Sequence, residues 1–227
     1  MEIQFITGNK EKIAIANAVL EPQNIKVTPL KIDCPEIQAD DNEQIAIASA
    51  KYASNFTKSN VVKVDSGFYI EALDGFPGPY AEYVERKLDA QYILQMLADK
   101  ANRTAYYKEV LAYCEYGKEP VAFTTYTYGR IDTKLSGTEG YNFDRIFICD
   151  GDDKTMAHYD QSQRAEKYSH KNWESLVAYL KKLLLRENNK RHDLSCRLFH
   201  TNHMLMDIHN YSFFSILMRV GANPSFL

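Results

Sequence analysis

The chain opens with short apolar runs that alternate with amphipathic segments. Residues 3–6 form an apolar-rich run that predicts a buried strand, and apolar positions at helical spacing follow it as far as Pro22. Residues 25–30 provide a second predicted strand. A β-α-β opening of this kind predicts parallel pairing of the two strands with a right-handed crossover between them.

The middle of the chain continues this alternation. Small apolar side chains recur at helical spacing over residues 42–56, and a β-branched run over residues 60–64 predicts a strand that ends at Asp65. Carboxylates at strand ends commonly line sites in α/β sheets. The Gly- and Pro-rich segment 73–80 then leads into a predicted helix over residues 80–97.

The second half of the pattern adds further strands and a last amphipathic helix. The predicted strands cover residues 106–114, 121–131 and 145–149, and the helix covers residues 171–185. This succession predicts an α/β or α+β fold class. Residues 188–227 show no clean period, so we place one domain over residues 1–187 and treat 188–227 as a C-terminal tail of unknown role.

Charge and cysteine usage exclude several classes of protein. The net charge of the 227 residues is −3, with 27 Lys and Arg against 30 Asp and Glu, which does not indicate a nucleic-acid or anionic membrane partner. The four cysteines are widely separated and lack CxxC spacing, which indicates neither a zinc knuckle nor a disulfide framework. No secretory leader or bilayer-length apolar run appears, so we expect a soluble, cytoplasmic protein.

The turn between the first strand and the first helix is a candidate anion site. It consists of Thr7, Gly8 and Asn9, and Lys12 follows in the first turn of the helix. The amides at a helix N-terminus and the positive end of the helix dipole favour an anion such as phosphate. Lys12 taken alone also fits a solvated helix lysine.

Three further clusters contain residues suited to chemistry. They are Glu36 within residues 34–38, the Asp65-Ser66-Gly67 triplet, and an aromatic-rich segment over residues 140–147 that is followed later by Ser169-His170-Lys171. Taken singly, each cluster also fits a structural role as a surface carboxylate, a turn or a core aromatic. Their order along the chain is what favours a shared site.

That order resembles the inosine triphosphate pyrophosphatase family. The motifs that carry the resemblance, in sequence, are TGNxxK, PEIQ, DSG, LDGFPGPY, GRI, Gly-Tyr-x-Phe-Asp and Ser-His-basic, spread over residues 3–185. The resemblance implies an elongated mixed-sheet α/β domain with two lobes and a central cleft, usually as a homodimer. It also implies Mg²⁺-dependent hydrolysis of non-standard purine nucleoside triphosphates such as ITP, dITP and XTP to the monophosphate and pyrophosphate, which sanitises the nucleotide pool.

The resemblance also implies a role for each motif residue. The residues that would hold the triphosphate are Thr7, Asn9 and Lys12, with backbone contacts from Ser66 and Gly67. The metal would be bound by Glu36 and Asp65, and the catalytic residues would be Asp65, which orients or deprotonates the attacking water, and Lys12. Tyr141 would stack on the purine, and the base pocket would be lined by Asp144, Ser169, His170 and Lys171.

Several family positions are altered in this chain, at residues 142–145, 157–158, 165 and 171 and at two positions near the proposed phosphate site. The acidic pair expected before Ser-Gly is Val64-Asp65, and the lysine expected on the helix over residues 42–56 aligns with Ser49. Lys51 lies about 200° further around that helix, so it should face the other way. These departures leave an alternative open: a catalytically weak or inactive paralogue that binds nucleotides or acts as an interaction module.

Overall fold

The structure, a computed structural model, describes residues 1–186 of the chain. The chain divides into two units after Val177, and every contact discussed below lies within Met1–Val177. The predicted tail, residues 188–227, lies outside the described residues, so the domain boundary at 187 stays a prediction. In the described part of the chain no helix is suited to crossing a bilayer.

Seven strands and six α-helices are found among the described residues. The strands are β1 Glu2–Ile6, β2 Lys26–Leu30, β3 Val61–Ile70, β4 Pro77–Gly78, β5 Thr104–Cys114, β6 Val121–Ile131 and β7 Phe147–Cys149. The helices are α1 Lys10–Leu20, α2 Asn42–Thr57, α3 Ala81–Lys87, α4 Ala90–Met96, α5 Gln161–Lys167 and α6 over residues 171–186.

The strands form one mixed sheet in the order β2-β1-β3-β5-β6-β7, with the short β4 beside β3. β1 runs parallel to β2 and to β3, which confirms the predicted β-α-β opening. The pairings of β3 with β5, β5 with β6 and β6 with β7 are antiparallel. The combination of a mixed sheet and interspersed helices confirms the predicted α/β class.

The two edges of β3 are paired differently, and this difference exposes the centre of the strand. One edge pairs with β5 from Val61 to Ile70. On the other edge β1 pairs with residues 61 and 62, and β4 pairs with residues 68 and 69. Among the strand pairings of the described chain, residues 63–67 therefore lack a partner on this edge, which leaves room for a site there.

The predicted end of this strand at Asp65 was wrong. The Asp-Ser-Gly triplet has turn-forming residues, yet β3 continues to Ile70 because its whole length pairs with β5 and because Phe68 and Ile70 are fully buried. What ends near residue 62 is the parallel pairing with β1. Asp65 consequently lies in mid-strand, beyond the carboxyl end of the parallel part of the sheet.

The helix predicted over residues 80–97 is in fact two helices. α3 ends at Lys87 and α4 begins at Ala90, because Leu88 adopts extended backbone and Asp89 caps α4 by accepting a hydrogen bond from the Gln91 amide at 2.9 Å. The apolar period runs through both helices, so the pattern alone did not show the break. The contacts that fill the break come from residues 142–145.

Two packed clusters support the two faces of the sheet. On one face α2 contributes Ala46, Ala50 and Ala53, all fully buried, whose small side chains let the helix pack closely on β3 and β5. On the other, Phe68 lies 5.2 Å from the Phe143 ring, measured between centroids. These clusters hold the central strand from both sides.

Candidate active site

The opening turn is shaped by its own side chains. Asn9 is the N-cap of α1, and its Oδ1 accepts hydrogen bonds from the amides of Glu11 at 2.9 Å and Lys12 at 3.3 Å. Thr7 Oγ1 accepts a hydrogen bond from the Asn9 amide at 3.1 Å. The conformation of the turn is therefore fixed by its own side chains.

Lys12 joins this turn to the centre of β3. Its Nζ donates to Ser66 Oγ at 3.2 Å, and Ser66 Oγ donates in turn to Glu109 Oε2 at 3.4 Å. The other oxygen of Glu109 accepts from Asn172 Nδ2 at 2.8 Å, and Asn172 is fully buried. This hydrogen-bonded chain links α1, β3, β5 and the start of α6.

Sequence reasoning missed both Glu109 and Asn172. Neither belongs to a recognised motif, and Glu109 reaches Ser66 only because the antiparallel register places the two residues opposite each other. The available signal was a charged pair, Lys108 and Glu109, inside the otherwise apolar run of β5. Charged residues in a buried strand are usually paired, so this pair indicated polar partners elsewhere in the fold.

Asp65 carries the most unusual electrostatics of this region. Its Oδ2 is buried and has no hydrogen-bond partner among the described residues. Burial raises the pKa of Asp65 to about 7; the charges of Lys12 and Lys63 oppose this increase, while those of Glu36 and Glu82 add to it. A buried, unpartnered carboxylate oxygen is costly, so this atom is suited to a partner supplied by a ligand or a cation.

Glu36 is the second carboxylate of the predicted metal pair. Its side chain is 63% exposed and lies 3.4 Å from Lys63 Nζ, and it is close enough to Asp65 to raise the pKa of that carboxyl. In residues 1–186 no group of three or more His, Cys, Asp or Glu side chains is arranged to hold a metal. Two carboxylates fit a hard cation whose other ligands are phosphate and water oxygens.

The backbone at Asp65 is held from the α2 side by Asn42, which is fully buried. Asn42 Nδ2 donates to the carbonyl oxygens of Asp65 at 3.2 Å and Lys108 at 3.1 Å, and its Oδ1 accepts from Tyr69 OH at 3.0 Å. One side chain therefore ties the N-terminus of α2 to β3 and β5. Sequence reasoning missed this residue because it resembles an ordinary helix-start asparagine.

Gly67 is required by close packing at the same point of the strand. A Cβ at this position would lie 2.7 Å from Cε2 of the Tyr69 ring and 3.0 Å from the Gly78 carbonyl oxygen. The backbone at Gly67 is thus a place where any side chain would displace its neighbours.

In the aromatic-rich segment 140–147, Tyr141 is 56% exposed while Asp144 is only 1% exposed. Asp144 Oδ2 accepts from the Tyr141 amide at 2.8 Å, and its Oδ1 accepts from Tyr168 OH at 3.1 Å. Burial raises the pKa of Asp144, and these two hydrogen bonds oppose the increase. Asp144 therefore holds the turn that presents Tyr141.

The closing triplet is also engaged with the protein. Ser169 Oγ lies 2.6 Å from Thr125 Oγ1, and its amide donates to Thr127 Oγ1 at 3.0 Å. His170 Nε2 donates to the Ala165 carbonyl oxygen at 2.8 Å, and Lys171 is exposed. The triplet has a defined conformation in which Lys171 is the member open to solvent.

Two contacts bring this end next to the opening turn. Burial raises the pKa of Tyr141, and the Asn9 side chain is close enough to the phenol to oppose that increase. Gln161 Nε2 donates to Glu11 Oε1 at 2.8 Å and so joins α5 to α1. The fold therefore gathers motifs that are more than 100 residues apart in the sequence.

The Ham1 family model matches residues 3–173 of this chain. The chain belongs to the Ham1 family. A dITP/XTP pyrophosphatase from Methanopyrus kandleri is 40% identical over 171 residues, which are 75% of this chain and 90% of the relative. Another, from Methanosarcina acetivorans, is 43% identical over 150 residues, covering 66% of this chain and 82% of the relative.

Solved Ham1 structures match the fold as well. The HAM1 protein from Coxiella burnetii has a TM-score of 0.71 at 25% identity, covering 80% of this chain and 99% of that one. The Ham1 protein from Staphylococcus aureus has a TM-score of 0.70 at 25% identity, with coverage of 80% and 99% respectively. These matches confirm the resemblance inferred from the order of the motifs.

The departures at Ser49 and Val64 take definite positions in this Ham1 chain. Ser49 is fully buried on α2, and its Oγ has no hydrogen-bond partner among the described residues. Lys51 faces away, as predicted, because its Nζ donates to Glu119 Oε1 at 2.7 Å and to the Lys118 carbonyl oxygen at 2.8 Å. Val64 is buried on the face of β3 that also carries Ser66.

Proposed function

We propose that this chain hydrolyses non-standard purine nucleoside triphosphates, such as ITP, dITP and XTP, to the monophosphate and pyrophosphate. The observation that carries the proposal is the buried, unpartnered Oδ2 of Asp65 beside the turn that bears Lys12. Relatives named dITP/XTP pyrophosphatase support the substrate class. Within residues 1–186, no feature of the geometry favours an inactive interaction module.

The opening turn is proposed to hold the triphosphate. Thr7 and Asn9 shape the turn at the N-terminus of α1, where the helix dipole favours negative charge. Lys12 Nζ contacts Ser66 Oγ at 3.2 Å, which leaves other ammonium protons available to phosphate oxygens. Ser66 and Gly67 add backbone contacts from the unpaired edge of β3.

Glu36 and Asp65 are proposed to hold Mg²⁺, together with phosphate and water oxygens. Bound there, Mg²⁺ would neutralise phosphate charge and favour the ionised form of the carboxylates. Lys63, which lies 3.4 Å from Glu36, would have to share or yield that carboxylate. The unpartnered Oδ2 of Asp65 is the structural feature that fits such a ligand role.

Asp65 is proposed as the group that orients and deprotonates the attacking water. Ionised and held beside the bound cation, the Asp65 carboxylate would accept the proton that the attacking water releases. The water oxygen forms a bond to the α-phosphorus, the bond from that phosphorus to the bridging oxygen breaks, and pyrophosphate leaves. Asn42 keeps Asp65 in place through the strand backbone.

The base is proposed to bind between the loop that carries Tyr141 and the closing triplet. Stacking on an exposed aromatic ring is worth roughly 1–3 kcal/mol for a planar base. The ammonium donors of the exposed Lys171 are proposed to face the 6-oxo group, while His170 lines the pocket with its Nε2 bound to the Ala165 carbonyl oxygen. Ser169 also lines the pocket, and Asp144 supports it by holding Tyr141. Such donors would discriminate against the 6-amino group of adenine.

We also propose that the chain forms a homodimer and acts in the cytoplasm. Both follow from the family resemblance and from the expectation that the substrates are free nucleotides. Light scattering on the purified full chain would measure the mass, for which twice the 26.1 kDa of one chain is expected.

The experiment that tests the function is a pyrophosphate-release assay on ITP, dITP, XTP, ATP and GTP, with Mg²⁺ and with EDTA. We expect Mg²⁺-dependent release from ITP, dITP and XTP and far less from ATP. Binding of ITP without pyrophosphate release would instead support the catalytically weak paralogue. Release of orthophosphate rather than pyrophosphate would contradict the proposed cleavage site.

A further inference from the structure

The break between α3 and α4 is closed by a side chain from a distant loop. Asn142 Nδ2 donates to the Leu88 carbonyl oxygen at 2.8 Å, and Asn142 Oδ1 accepts from the Ala90 amide at 3.0 Å. Leu88 is the C-cap of α3, and Ala90 is the first residue of α4. One amide group therefore satisfies a backbone group at the end of each helix.

Residues beside Asn142 contact the same place, which we call the elbow and define as residues 85–90. The amide of Phe143 donates to Glu85 Oε1 at 2.9 Å, and Arg145 Nη1 lies 3.8 Å from Asp89 Oδ2. Three of four consecutive loop residues are therefore fixed to the elbow. A loop held at this many points has little freedom to shift.

The same loop presents Tyr141. Phe143 is fully buried, whereas Tyr141 is 56% exposed. Because Tyr141 directly precedes Asn142, the attachment of Asn142 to the elbow sets where the Tyr141 ring lies. Only one peptide unit therefore separates Asn142, which is bound to the elbow, from Tyr141, which is proposed to stack on the base.

We propose that Asn142 is a positioning residue for nucleobase binding, acting by holding the loop that carries Tyr141 on the elbow. The inference rests on the proposed function, because it assigns the base to Tyr141. It adds a determinant of base affinity that does not itself touch the nucleotide.

The amide group is what this role requires. The Leu88 carbonyl needs a donor and the Ala90 amide needs an acceptor, and only an amide side chain of this length supplies both. Aspartate would keep the acceptor, lose the donor and place a charge beside Glu85 and Asp89. Alanine would supply neither.

The test compares Asn142→Ala with Asn102→Ala in the full chain. Asn102 is an exposed asparagine that makes a similar pair of bonds, since its Oδ1 accepts from the Thr104 amide at 2.9 Å and its Nδ2 donates to Glu71 Oε2 at 3.0 Å. The measurements are the KM for ITP and the inhibition constant of inorganic tripolyphosphate, which lacks a base.

We expect Asn142→Ala to raise the KM for ITP about tenfold, the scale of one or two hydrogen bonds. The inhibition constant of tripolyphosphate should stay within about twofold, and Asn102→Ala should change neither constant. Hydrogen exchange of the segment 88–92 should become faster in Asn142→Ala only. If that variant does not fold, Asn142→Gln, which keeps the amide group on a longer side chain, should give a smaller increase in KM with the same selectivity.

Three outcomes would overturn the inference. An unchanged KM for ITP despite faster exchange would make Asn142 a purely structural residue. Equal losses for ITP and tripolyphosphate would mean that the loop serves the phosphate end. Unchanged hydrogen exchange at residues 88–92 would mean that Asn142 does not hold the elbow. Failure of the wild-type chain to bind ITP would overturn the proposed function first, and the base role with it.

Discussion

The two ends of the candidate site differ in how their polar groups are satisfied. At the phosphate end, Asp65 Oδ2 is buried without a partner among the described residues. At the base end, both oxygens of Asp144 accept hydrogen bonds, from Tyr141 and Tyr168. An unpartnered buried group is available to a ligand, whereas a satisfied group holds the fold. Substitutions at the two ends should therefore separate catalysis from stability.

The sharpest contrast is expected from Asp65→Asn. Loss of the proton acceptor should reduce Mg²⁺-dependent pyrophosphate release at least about a hundredfold, the scale of losing a main catalytic group. Stability should not fall, because a buried carboxylate without a partner is replaced by a neutral group. Turnover and melting temperature measured on the same preparation check both parts. Near-wild-type turnover would remove Asp65 from the mechanism.

Lys12→Met should weaken substrate binding at the same end. A charge-assisted hydrogen bond is worth roughly 1.5–3 kcal/mol, so the KM for ITP should rise about 10- to 100-fold. The inhibition constant of tripolyphosphate should rise by a similar factor because the contact is to phosphate. Lys10→Met is the matched control, since Lys10 is an exposed lysine on the same turn of α1. Equal effects from the two variants would indicate general electrostatic attraction only.

Asp144→Ala should show the opposite behaviour. The loss of two hydrogen bonds at a residue that is 1% exposed should lower the free energy of unfolding by about 2–4 kcal/mol. Thermal unfolding measures this change, and Asp150→Ala, at an exposed position, is the control. Inhibition by tripolyphosphate should be nearly unchanged. A stable but inactive variant would place Asp144 in the chemistry rather than in the scaffold.

The smallest expected effect is a pH dependence of stability. Burial raises the pKa values of Asp65 and Glu85 to about 7, and it also raises that of Asp144. The folded state therefore binds these protons more tightly than the unfolded state, so stability is highest below pH 4 with respect to these groups and is lost as pH rises to about 7. Asp65→Asn should reduce this loss.

Melting curves without divalent cations at pH 5 and pH 8 would measure the dependence for the wild type and for Asp65→Asn. Mg²⁺ at pH 8 should recover part of the loss in the wild type but not in Asp65→Asn, because the cation would stabilise the ionised Asp65. Recovery of equal size in both proteins would place the cation elsewhere. Glu85→Gln keeps Asp65, so it should recover with Mg²⁺ as the wild type does, and it reports the contribution of the second carboxyl.

The departure at Val64 illustrates what sequence comparison could not assess. Judged by the motif, the chain lacks one carboxylate before Ser66. In the sheet, Ser66 pairs with Glu109 and Val64 pairs with Leu111. Glu109 therefore lies on the same face of the sheet as Val64, opposite the residue two positions after Val64 in β3. A carboxylate is therefore present beside Ser66, and it comes from β5 instead of β3.

The sequence by itself determined the features that depend on local interactions. The bounds of α1, α2 and β6 follow from periodicity, and the turn before α1 follows from Asn9 as its N-cap, because these signals involve residues within one helical turn or one strand. The order of the motifs was enough to indicate the family.

Only the tertiary structure decided the extension of β3 past Asp65, the break between α3 and α4, and the partners of Lys12. Each depends on hydrogen bonds between residues more than 40 positions apart: Ser66 with Glu109, and Asn142 with Leu88 and Ala90. Such bonds form only when the strands and loops are packed in register. The local sequence does not specify which distant residue a side chain will contact, so these features could not be inferred before the fold was known.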